Sequence, residues 1–299
     1  MIASGDTSTA VGGRGANSLV SGDFIFTGED FRRIAAMLYD MAGITLPETK
    51  VTLVYSRLAK RLRALGLTNF RDYCALVAGV EGLDERQQML AALTTNVTRF
   101  FREPHHFDHL LKHVIEPAVG RVRAGGRLRI WSAGCSTGQE PYSIALTILA
   151  ALPEAADFDV KILATDIDPN VIATAKAGVY AESLVEAIPA QVRSRWLERE
   201  KADRDLWRVG EKARRLVAFR ELNLMGAWPM KGPFDAIFCR NVVIYFDEAA
   251  QERIWARYAE LMAPGGRLYV GHSERVTATD IGFESDGLTS YAYRPGGAP

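Results

Sequence analysis

The 299-residue sequence lacks the features that mark several large classes of protein. Its three cysteines, Cys74, Cys135 and Cys239, form neither a metal-ligand cluster nor an even set for disulfide pairing. Acidic and basic residues both number 36, so the formal net charge is zero and whole-molecule attraction to nucleic acid is not indicated. No apolar run approaches the roughly 20 residues that a membrane-spanning helix requires. We therefore expect a soluble protein without membrane insertion.

The beginning of the chain also lacks a targeting signal. Residues 1–23 are rich in glycine, serine, threonine and alanine, with neither a basic n-region nor an apolar h-region. This composition predicts a disordered leader, and the absence of an export signal indicates a cytoplasmic protein. An apolar fraction of 48% is sufficient for one large domain and one small domain.

Helical periodicity without a convincing strand extends from Thr27 to about Asn96. Apolar residues fall on one face of a first helix, and regularly spaced leucines mark a second helix that ends at Gly66. Two further amphipathic helices follow, separated by a short glycine-containing break. We predict an N-terminal all-helical domain over residues 24–96, followed by a linker and connecting helix over residues 97–126.

Strands and helices alternate from Arg127 to the end of the chain. Strands are predicted at 128–131, 160–165, 234–239 and 267–270. Helices are predicted to begin at Glu140, Pro169 and Glu248. This alternation predicts an α/β domain over residues 127–299, with a parallel, doubly wound, Rossmann-like sheet and a ligand at its carboxyl edge.

Small residues follow the first predicted strand, in the segment Ser132-Ala-Gly134-Cys-Ser-Thr-Gly138. The two glycines allow a sharp turn and a close approach of the backbone to a ligand, and the helix that follows offers free N–H groups. The second predicted strand ends at Asp166, whose carboxylate can accept hydrogen bonds from two ribose hydroxyls. Because the glycine spacing departs from the dinucleotide pattern G-x-G-x-x-G, we expect S-adenosylmethionine rather than a nicotinamide cofactor. A loop of small residues can also serve packing alone, and it is Asp166 that favours ligand binding.

Six motifs occur in order after the leader, and together they are far more specific than one glycine loop. They are Asn96-Val-Thr98-Arg99-Phe100-Phe101-Arg102-Glu103-Pro104, Trp131-Ser-Ala-Gly-Cys-Ser-Thr-Gly-Gln-Glu-Pro-Tyr142-Ser, Ala164-Thr-Asp166-Ile-Asp168, Asn223-Leu224, Phe234-Asp-Ala-Ile-Phe-Cys-Arg240-Asn241-Val-Val-Ile-Tyr245-Phe and Gly271-His-Ser-Glu274. This series resembles the CheR family of chemoreceptor glutamate methyltransferases. The resemblance implies a methyltransferase sheet over residues 127–299, preceded by the helical domain and carrying a small inserted antiparallel β-subdomain at about residues 180–220.

The activity implied by the resemblance is transfer of the methyl group of S-adenosylmethionine to a protein. The acceptors would be glutamate side chains of methyl-accepting chemotaxis receptors, and the products would be glutamyl γ-methyl esters and S-adenosylhomocysteine. No strong base is required, because a glutamate side chain is already ionised at neutral pH. The enzyme would mainly align the acceptor carboxylate, the methyl group and the sulfur, and exclude water.

The resemblance also implies which residues form the cofactor site. They are Asn96, Thr98, Arg102, Ala133, Gly134, Glu140, Asp166, Ile167, Asn223, Leu224, Arg240 and Asn241. Arg102 is expected to pair with the methionyl carboxylate, although it would also suit a surface ion pair at a helix end. Glu140 is expected to attract the ammonium, although an acid in the first turn of a helix is favourable in its own right.

Further roles in the cofactor site follow from the same resemblance. Asp166 would bind the ribose, while Asn223 and Leu224 would contact the adenine. Tyr245 and Arg102 are implied as catalytic, with Tyr245 near the transferring methyl group, where it orients the attacking carboxylate. Many relatives carry a second acid beside the position of Glu140, where this chain has Gln139.

A basic cluster on the second helix suggests how a receptor is recognised. It consists of Lys50, Arg57, Lys60, Arg61 and Arg63. A solvated helix face is one interpretation, and a docking surface for the acidic receptor helices that the resemblance implies is the other. In the insertion, Leu206-Trp-Arg-Val and Leu216-Val-Ala-Phe are strand-like. The segment Glu198-Arg-Glu-Lys-Ala-Asp-Arg-Asp lacks the glycines found in relatives that dock a receptor pentapeptide, so we predict no pentapeptide docking. Separately, we expect a monomer.

Several other functions are weighed against this one. His105 and His106 are adjacent, and no carboxylate–cysteine set accompanies them in the sequence, so we expect surface or interdomain packing and no metal. Consecutive His272-Ser273-Glu274 cannot form a hydrolase relay. A non-catalytic module that senses S-adenosylmethionine or a nucleotide remains an alternative, as does methylation of a small carboxylate or of nucleic acid.

Overall fold

The computed structural model describes residues 18–277 and 279–296. Most of the predicted leader lies outside the described residues. The chain divides into two compact units, one formed by Met1–Asp40 and Leu46–Leu93 and the other by Met41–Thr45 and Thr94–Pro299. None of the helices in the described ranges combines the length and the apolarity needed to cross a membrane.

The first unit is all-helical, as the sequence predicts. Its helices are α1 (Gly28–Ala42, whose last two residues belong to the second unit), α2 (Val51–Leu65), α3 (Phe70–Ala78) and α4 (Leu83–Leu93), with 3-10 turns at Glu48–Lys50 and Val80–Gly82. Gly66 ends α2 in the left-handed conformation at φ 68°. Asn69 begins α3, where its side chain accepts a hydrogen bond from the Asp72 N–H at 2.8 Å. Apolar side chains such as Ile34, Leu58 and Tyr73 fill the core.

The second unit contains a seven-stranded sheet in the order β6-β2-β1-β7-β8-β10-β9. Its strands are β1 (Leu128–Ala133), β2 (Val160–Asp166), β6 (Val217–Glu221), β7 (Phe234–Cys239), β8 (Met262–Val270), β9 (Phe283–Ser285) and β10 (Ser290–Tyr293). The neighbouring strands β6, β2, β1, β7 and β8 pair in parallel, and this confirms the doubly wound architecture.

The far edge of this sheet differs from the expected parallel pattern. β10 pairs antiparallel with both β8 and β9. β9 and β10 are joined by residues 286–289, and so short a connection allows only antiparallel pairing. The sheet is therefore mixed.

A small three-stranded antiparallel sheet in the order β3-β5-β4 confirms the inserted β-subdomain. Its strands are β3 (Val179–Ala181), β4 (Leu197–Arg199) and β5 (Leu206–Val209). The predicted assignment of Leu216-Val-Ala-Phe to this subdomain is wrong, because β6 pairs in parallel with β2 at the edge of the large sheet. A parallel pair needs a crossover, and the small sheet is inserted within the crossover from β2 to β6.

Helices cover both faces of the large sheet. The helices of the second unit are α5 (His105–Leu110), α6 (Glu116–Arg123), α7 (Gln139–Ala151), α8 (Pro169–Ala177), α9 (Glu182–Val185), α10 (Ala190–Trp196), α11 (Glu211–Leu216) and α12 (Glu248–Leu261), of which α9 and α10 contact the strands of the small sheet. A π-helical turn spans Leu111–Ile115, and 3-10 turns span Ala155–Asp157, Val243–Tyr245 and Thr279–Ile281. In β1, Ile130 packs in the apolar cluster that includes α7, and Trp131 packs in the one that includes α12. Successive side chains of β1 thus lie on opposite faces of the sheet, and both faces are buried.

Candidate functional site

The loop after β1 is held against the end of β2 by backbone hydrogen bonds. The N–H groups of Gly134 and Cys135 both donate to the Thr165 carbonyl at 2.8 Å. Gly134 has φ 85°, and a Cβ there would lie 2.3 Å from Val242 Cγ2. Glycine at this position therefore satisfies both the left-handed backbone and the close approach of the segment after β7.

Asp166 ends β2 beside this loop, and the protein uses only part of its hydrogen-bonding capacity. Its Oδ2 accepts from the Ser136 N–H at 2.8 Å, and its Oδ1 accepts from the Asp168 N–H at 3.1 Å. Burial raises the pKa of the Asp166 carboxyl, and these N–H donors partly offset that rise. Each carboxylate oxygen can accept a further bond, which suits the two hydroxyls of a ribose.

Asp168 is a buried acid that the sequence analysis quoted in a motif but did not select as a site residue. Its Oδ1 caps α8 by accepting from the Asn170 N–H at 2.9 Å, and its Oδ2 accepts from Asn96 Nδ2 at 3.1 Å. The Asn96 carbonyl in turn accepts from Ser136 Oγ at 3.0 Å. Asn96 is thereby fixed to the same loop as Asp166.

Arg240 joins three parts of the site through a buried ionic network. Its side chain is 2% exposed, with Nη1 3.2 Å from Glu140 Oε2 and Nη2 3.2 Å from Glu103 Oε2. The guanidinium also donates to the Arg102 carbonyl. Arg240 makes these contacts with other residues of the chain, and it thereby holds Arg102 and Glu140 in place.

Glu140 lies in the first turn of α7, where Ser132 Oγ donates to its Oε1 at 2.7 Å. Burial raises the pKa of the Glu140 carboxyl, while Arg240 and Ser132 act against that rise. At Glu103, burial also acts to raise the pKa, but Arg240 is the main opposing influence and the pKa is lowered overall. The cation thus favours the ionised form of both carboxyls.

Left-handed backbone at residues other than glycine is concentrated around this site. Phe101 has φ 51°, Glu103 57°, Ser136 49° and Asn241 59°. Such conformations are uncommon, most of all for a bulky side chain, and they persist only where the surroundings impose them. Their concentration here indicates that the packing of this region holds these residues in unfavourable backbone conformations.

Arg102 lies between two of these strained residues. Its Nη1 donates to the Val97 carbonyl at 3.2 Å, and its Nε is 4.0 Å from Glu103 Oε1. The side chain remains 31% exposed, so donors of the guanidinium stay accessible. Thr98 is half-buried in the same segment, Ala133 is the buried last residue of β1, and Ile167 is half-buried just after β2.

Asn223 and Leu224 lie in the segment after β6, at the same edge of the sheet. Asn223 Nδ2 donates to the Met41 carbonyl at 2.7 Å, and its Oδ1 accepts from the Met225 N–H at 2.9 Å. Leu224 is buried, and its carbonyl accepts from Arg257 Nη1 at 2.8 Å. Arg257, whose guanidinium carbon lies 3.7 Å from the centroid of the Trp228 ring, is a supporting residue that the sequence analysis missed.

Tyr245 ends the 3-10 turn after β7 and is half-buried. Its carbonyl accepts from the Thr45 N–H at 2.8 Å, and Ile44 forms an isolated antiparallel bridge with Phe246. The segment Met41–Thr45, which belongs to the second unit, therefore contacts both the Tyr245 turn and Asn223. Sequence analysis gave no signal for this bridging segment.

Asn241 carries a buried acceptor atom that a ligand can use. Its Oδ1 is buried and has no hydrogen-bond partner among the residues that the structure describes. Buried polar atoms are nearly always paired, so an unpaired acceptor beside the loop after β1 fits a bound polar ligand. Asp166 and this Asn241 oxygen both offer acceptors to a polar ligand, so the residues present fit S-adenosylmethionine.

His106 is buried inside the second unit, so the expected surface or interdomain packing is wrong for this residue. Its Nε2 lies 2.9 Å from Thr289 Oγ1, and burial lowers its pKa to about 3. The sequence analysis found no accompanying carboxylate set, but the structure brings Glu103 to the pair, and ligand atoms of Glu103, His105 and His106 lie within 4.8 Å of one another. Because Arg240 contacts Glu103, a second cation there would be repelled.

The predicted receptor-binding cluster lies in the first unit, where several of its members have partners. Arg61 forms a bidentate pair with Glu85 at 2.9 and 2.6 Å, and Tyr73 donates to the same carboxylate at 3.0 Å. Arg57 donates to the Ala92 carbonyl at 3.1 Å. Arg63 contacts Asp23 at 2.6 Å at the surface, and Lys60 is exposed on α2. Lys50 is also exposed, but it lies in the 3-10 turn before α2 and not on the helix as predicted. Arg61 thus links α2 to α4 within the unit.

A doubly wound sheet with a glycine-containing loop after β1 and an acid at the end of β2 has the arrangement of S-adenosylmethionine-dependent methyltransferases. Residues 96–292 match the family model described as the S-adenosylmethionine-binding domain of CheR methyltransferases. Residues 29–94 match the model for the all-alpha domain of the same family. The chain belongs to the CheR methyltransferase family, and its cofactor is S-adenosylmethionine.

Relatives of known name agree with this assignment. The chain is 55% identical over 260 residues to a probable chemotaxis protein methyltransferase of Rhizobium etli, an alignment that covers 86% of this chain and 97% of the relative. It is 42% identical over 264 residues to the chemotaxis protein methyltransferase of Escherichia coli strain K12, covering 88% of this chain and 90% of the relative. Both parts of the chain are therefore represented in these relatives.

Proposed function

We propose that this protein transfers the methyl group of S-adenosylmethionine to glutamate side chains of methyl-accepting chemotaxis receptors. The products would be glutamyl γ-methyl esters and S-adenosylhomocysteine. The observation that carries the proposal is the similarity to chemotaxis protein methyltransferases over both the helical and the cofactor-binding parts, at up to 55% identity. The methylation removes one negative charge from the receptor, which can shift its signalling equilibrium.

Binding of the cofactor would use the groups gathered around the loop after β1. Asp166 accepts hydrogen bonds from the ribose, the Glu140 carboxylate attracts the ammonium, and Arg102 pairs with the methionyl carboxylate. Asn223 and Leu224 lie along the adenine. Asn241 Oδ1, which is buried without a partner among the described residues, would accept a hydrogen bond from the ligand. Asn96, Thr98, Ala133, Gly134 and Ile167 complete the lining.

The chemistry assigned to this chain is mainly positioning. S-adenosylmethionine supplies an electrophilic methyl group on a sulfonium centre. A glutamate oxygen would bond to that methyl carbon, and the carbon–sulfur electron pair would leave with S-adenosylhomocysteine. Tyr245 would orient the acceptor carboxylate, and the buried walls around Arg240 would exclude water. Arg240 acts indirectly, through Glu140 and the Arg102 carbonyl.

Receptor recognition is assigned to the basic cluster in the helical unit, within a domain that we place at residues 24–96. Lys50, Arg57, Lys60, Arg61 and Arg63 would face acidic helices of the receptor. Lys50 and Lys60 are exposed and would supply most of the attraction, whereas the charge of Arg61 is largely neutralised by its pair with Glu85. The electrostatic attraction would chiefly accelerate and align docking.

The β4–β5 connection at residues 200–205 contains no glycine. We propose that the protein acts on receptors without docking a C-terminal pentapeptide, and that it works as a cytoplasmic monomer. Calorimetric titration with such a peptide is expected to give no heat beyond dilution. Saturable binding of the peptide would contradict this part of the proposal.

The main experiment follows labelled methyl from S-adenosylmethionine to receptor-containing membranes, scored as methanol released by alkali. Wild type should transfer alkali-labile label, and Asp166→Ala and Tyr245→Phe should reduce it strongly. Tyr293→Phe, at the far strand β10, is the matched control and should retain activity. Binding of the cofactor without labelling across a panel of receptors would favour a sensing module. Alkali-stable label would indicate a different acceptor.

A further inference from the structure

Residues 240–245 follow β7 and form a turn, the 240–245 turn. One buried carboxylate binds the backbone of this turn. Glu274 follows β8 and is 3% exposed. Its Oε2 accepts from the N–H groups of Asn241 at 2.8 Å and Gly271 at 2.6 Å. Its Oε1 accepts from the N–H groups of Val242 at 2.8 Å and Ile244 at 3.3 Å.

Four backbone donors saturate this carboxylate. Each oxygen of an ionised glutamate can accept about two hydrogen bonds, and here each accepts two. Hydrogen bonds to an ionised acceptor are stronger than bonds between neutral groups. Burial raises the pKa of Glu274, and the four N–H donors act against that rise. The turn therefore depends on a charged group 33 residues from Asn241 in sequence.

The residues held in this way include two groups of the proposed site. Asn241 has the left-handed φ of 59°, which an asparagine adopts at some cost, and the bond from its N–H to Glu274 stabilises that conformation. Ile244 immediately precedes Tyr245, so the bond to the Ile244 N–H restrains the backbone that carries the tyrosine.

Gly271 belongs to the same arrangement. A Cβ at this position would lie 2.6 Å from Asn241 Nδ2 and 2.8 Å from both Asn241 N and Glu274 Oε2. Its φ is not among the positive values, so alanine there would act through crowding of these atoms rather than through backbone strain. Gly271 and Glu274 thus form one unit that supports the turn.

We propose that Glu274 is a positioning residue that sets cofactor affinity through Asn241 and the rate of methyl transfer through Tyr245. The inference rests on the proposed function, because it is that function that gives the two residues their roles. A carboxylate that only filled space would be replaced without loss by the isosteric amide. A carboxylate that organises the turn would not, since an amide offers one oxygen in place of two and turns an NH₂ group toward the remaining N–H donors.

The test compares Glu274→Gln with Glu284→Gln, the same chemical change at an exposed site on β9. Affinity for S-adenosylhomocysteine is measured by calorimetry, and kcat and KM by alkali-labile methyl transfer. Glu274→Gln loses two of the four hydrogen bonds and should weaken binding and lower kcat by about tenfold or more, which is at least the effect expected for one lost charge-assisted hydrogen bond. Glu284→Gln should match wild type. Equal affinity and kcat in Glu274→Gln and wild type would overturn the proposal.

Amide hydrogen exchange distinguishes positioning from a general loss of stability. In Glu274→Gln, exchange should accelerate at residues 241–245 and remain unchanged in β1 and β2. Uniform acceleration through the sheet would make Glu274 a fold-stabilising residue and refute the specific role. If the amide variant does not fold, Gly271→Ala provides the test, because its Cβ would crowd the contact between the carboxylate and Asn241 while the charge of Glu274 is preserved. Gly271→Ala should then reproduce the weaker binding and the local exchange, and wild-type behaviour would refute the proposal.

The proposed function and this inference can fail separately. Wild-type protein that binds S-adenosylhomocysteine but methylates no receptor would contradict the function alone. The role of Glu274 in cofactor affinity would still be decided by calorimetry and by exchange, neither of which needs a receptor.

Discussion

Replacing Arg240 by methionine would leave two buried carboxylates without their cation. Glu140 and Glu103 each lie 3.2 Å from the guanidinium, and their side chains are 10% and 12% exposed. Removing one partner of a buried ionic group typically costs about 3–5 kcal/mol, because the remaining charge is left uncompensated. For a unit of this size that corresponds to a fall in melting temperature of about 10 °C. Cofactor affinity should also fall, since Glu140 and Arg102 lose their support.

The cost of Arg240→Met should depend on pH. Without the cation, the folded-state pKa of Glu140 rises further above that of the unfolded chain. The folded state then binds more protons than the unfolded state in the interval between the two pKa values, so the stability of the variant falls as pH rises through that interval. The stability deficit relative to wild type should therefore be smaller at acidic pH than at neutral pH.

The assay for Arg240→Met is chemical denaturation followed by circular dichroism at several pH values, with Arg294→Met as control. Arg294 pairs with Glu284 at 3.2 Å on the surface, so its loss should cost less than about 1 kcal/mol. Adding Glu140→Gln to Arg240→Met should recover part of the deficit, because one of the unpaired charges is removed. A deficit no larger than that of the control, or a double variant destabilised by the full sum, would refute the reasoning.

Three other predictions concern the cofactor loop and the receptor surface. Affinity for S-adenosylhomocysteine should weaken on acidification, because burial raises the pKa of Asp166 and the protonated acid accepts fewer hydrogen bonds; a flat calorimetric profile from neutral to acidic pH would contradict this. Gly134→Ala should abolish detectable cofactor binding in the same assay, because its Cβ would lie 2.3 Å from a valine carbon. The control Gly120→Ala should bind the cofactor normally, because its Cβ would have no atom within 4 Å. Normal binding by both alanine variants would be inconsistent with the loop geometry. Lys60→Glu should raise KM for receptors several-fold at low salt, and by less at high salt, without changing kcat. The control Lys112→Glu should leave KM unchanged. Equal KM values for Lys60→Glu and wild type would argue against docking on α2.

The strands that end at the site could be predicted from local sequence because they are apolar and are buried on both faces. β1, β2 and β7 each appear as a short apolar run followed by small or polar residues, and the structure has strands there. The end of α2 was equally clear, since glycine adopts the left-handed conformation that terminates a helix without steric cost.

The partners of a strand could not be predicted in the same way. The strand beginning at Val217 has the local pattern of a strand, but only the register with β2 places it in the large sheet rather than in the inserted subdomain. β9 and β10 are three and four residues long, too short for a periodic signal. Propensity reports that a segment is extended and says nothing of its neighbours.

The supporting residues of the site are hidden for a related reason. Arg240 meets Glu140 across 100 residues of sequence, and Glu274 meets the Asn241 turn across 33. In the sequence, Glu274 ends the motif Gly271-His-Ser-Glu274 and forms a consecutive histidine–serine–acid triplet that cannot act as a relay, and neither pattern indicates a supporting role. Its backbone partners become visible only once β7 and β8 lie side by side.

We propose that this protein esterifies receptor glutamates, and the position of the methyl group on the acceptor decides whether it does. Receptor membranes are incubated with S-adenosylmethionine and either wild type or Tyr245→Phe, and receptor peptides are then sequenced by tandem mass spectrometry. We expect methyl groups on glutamate side chains, and these groups should be lost on alkaline treatment and strongly reduced with the variant. Methyl groups on other side chains, or none on receptors exposed to a wild-type protein that binds S-adenosylhomocysteine, would contradict the proposal.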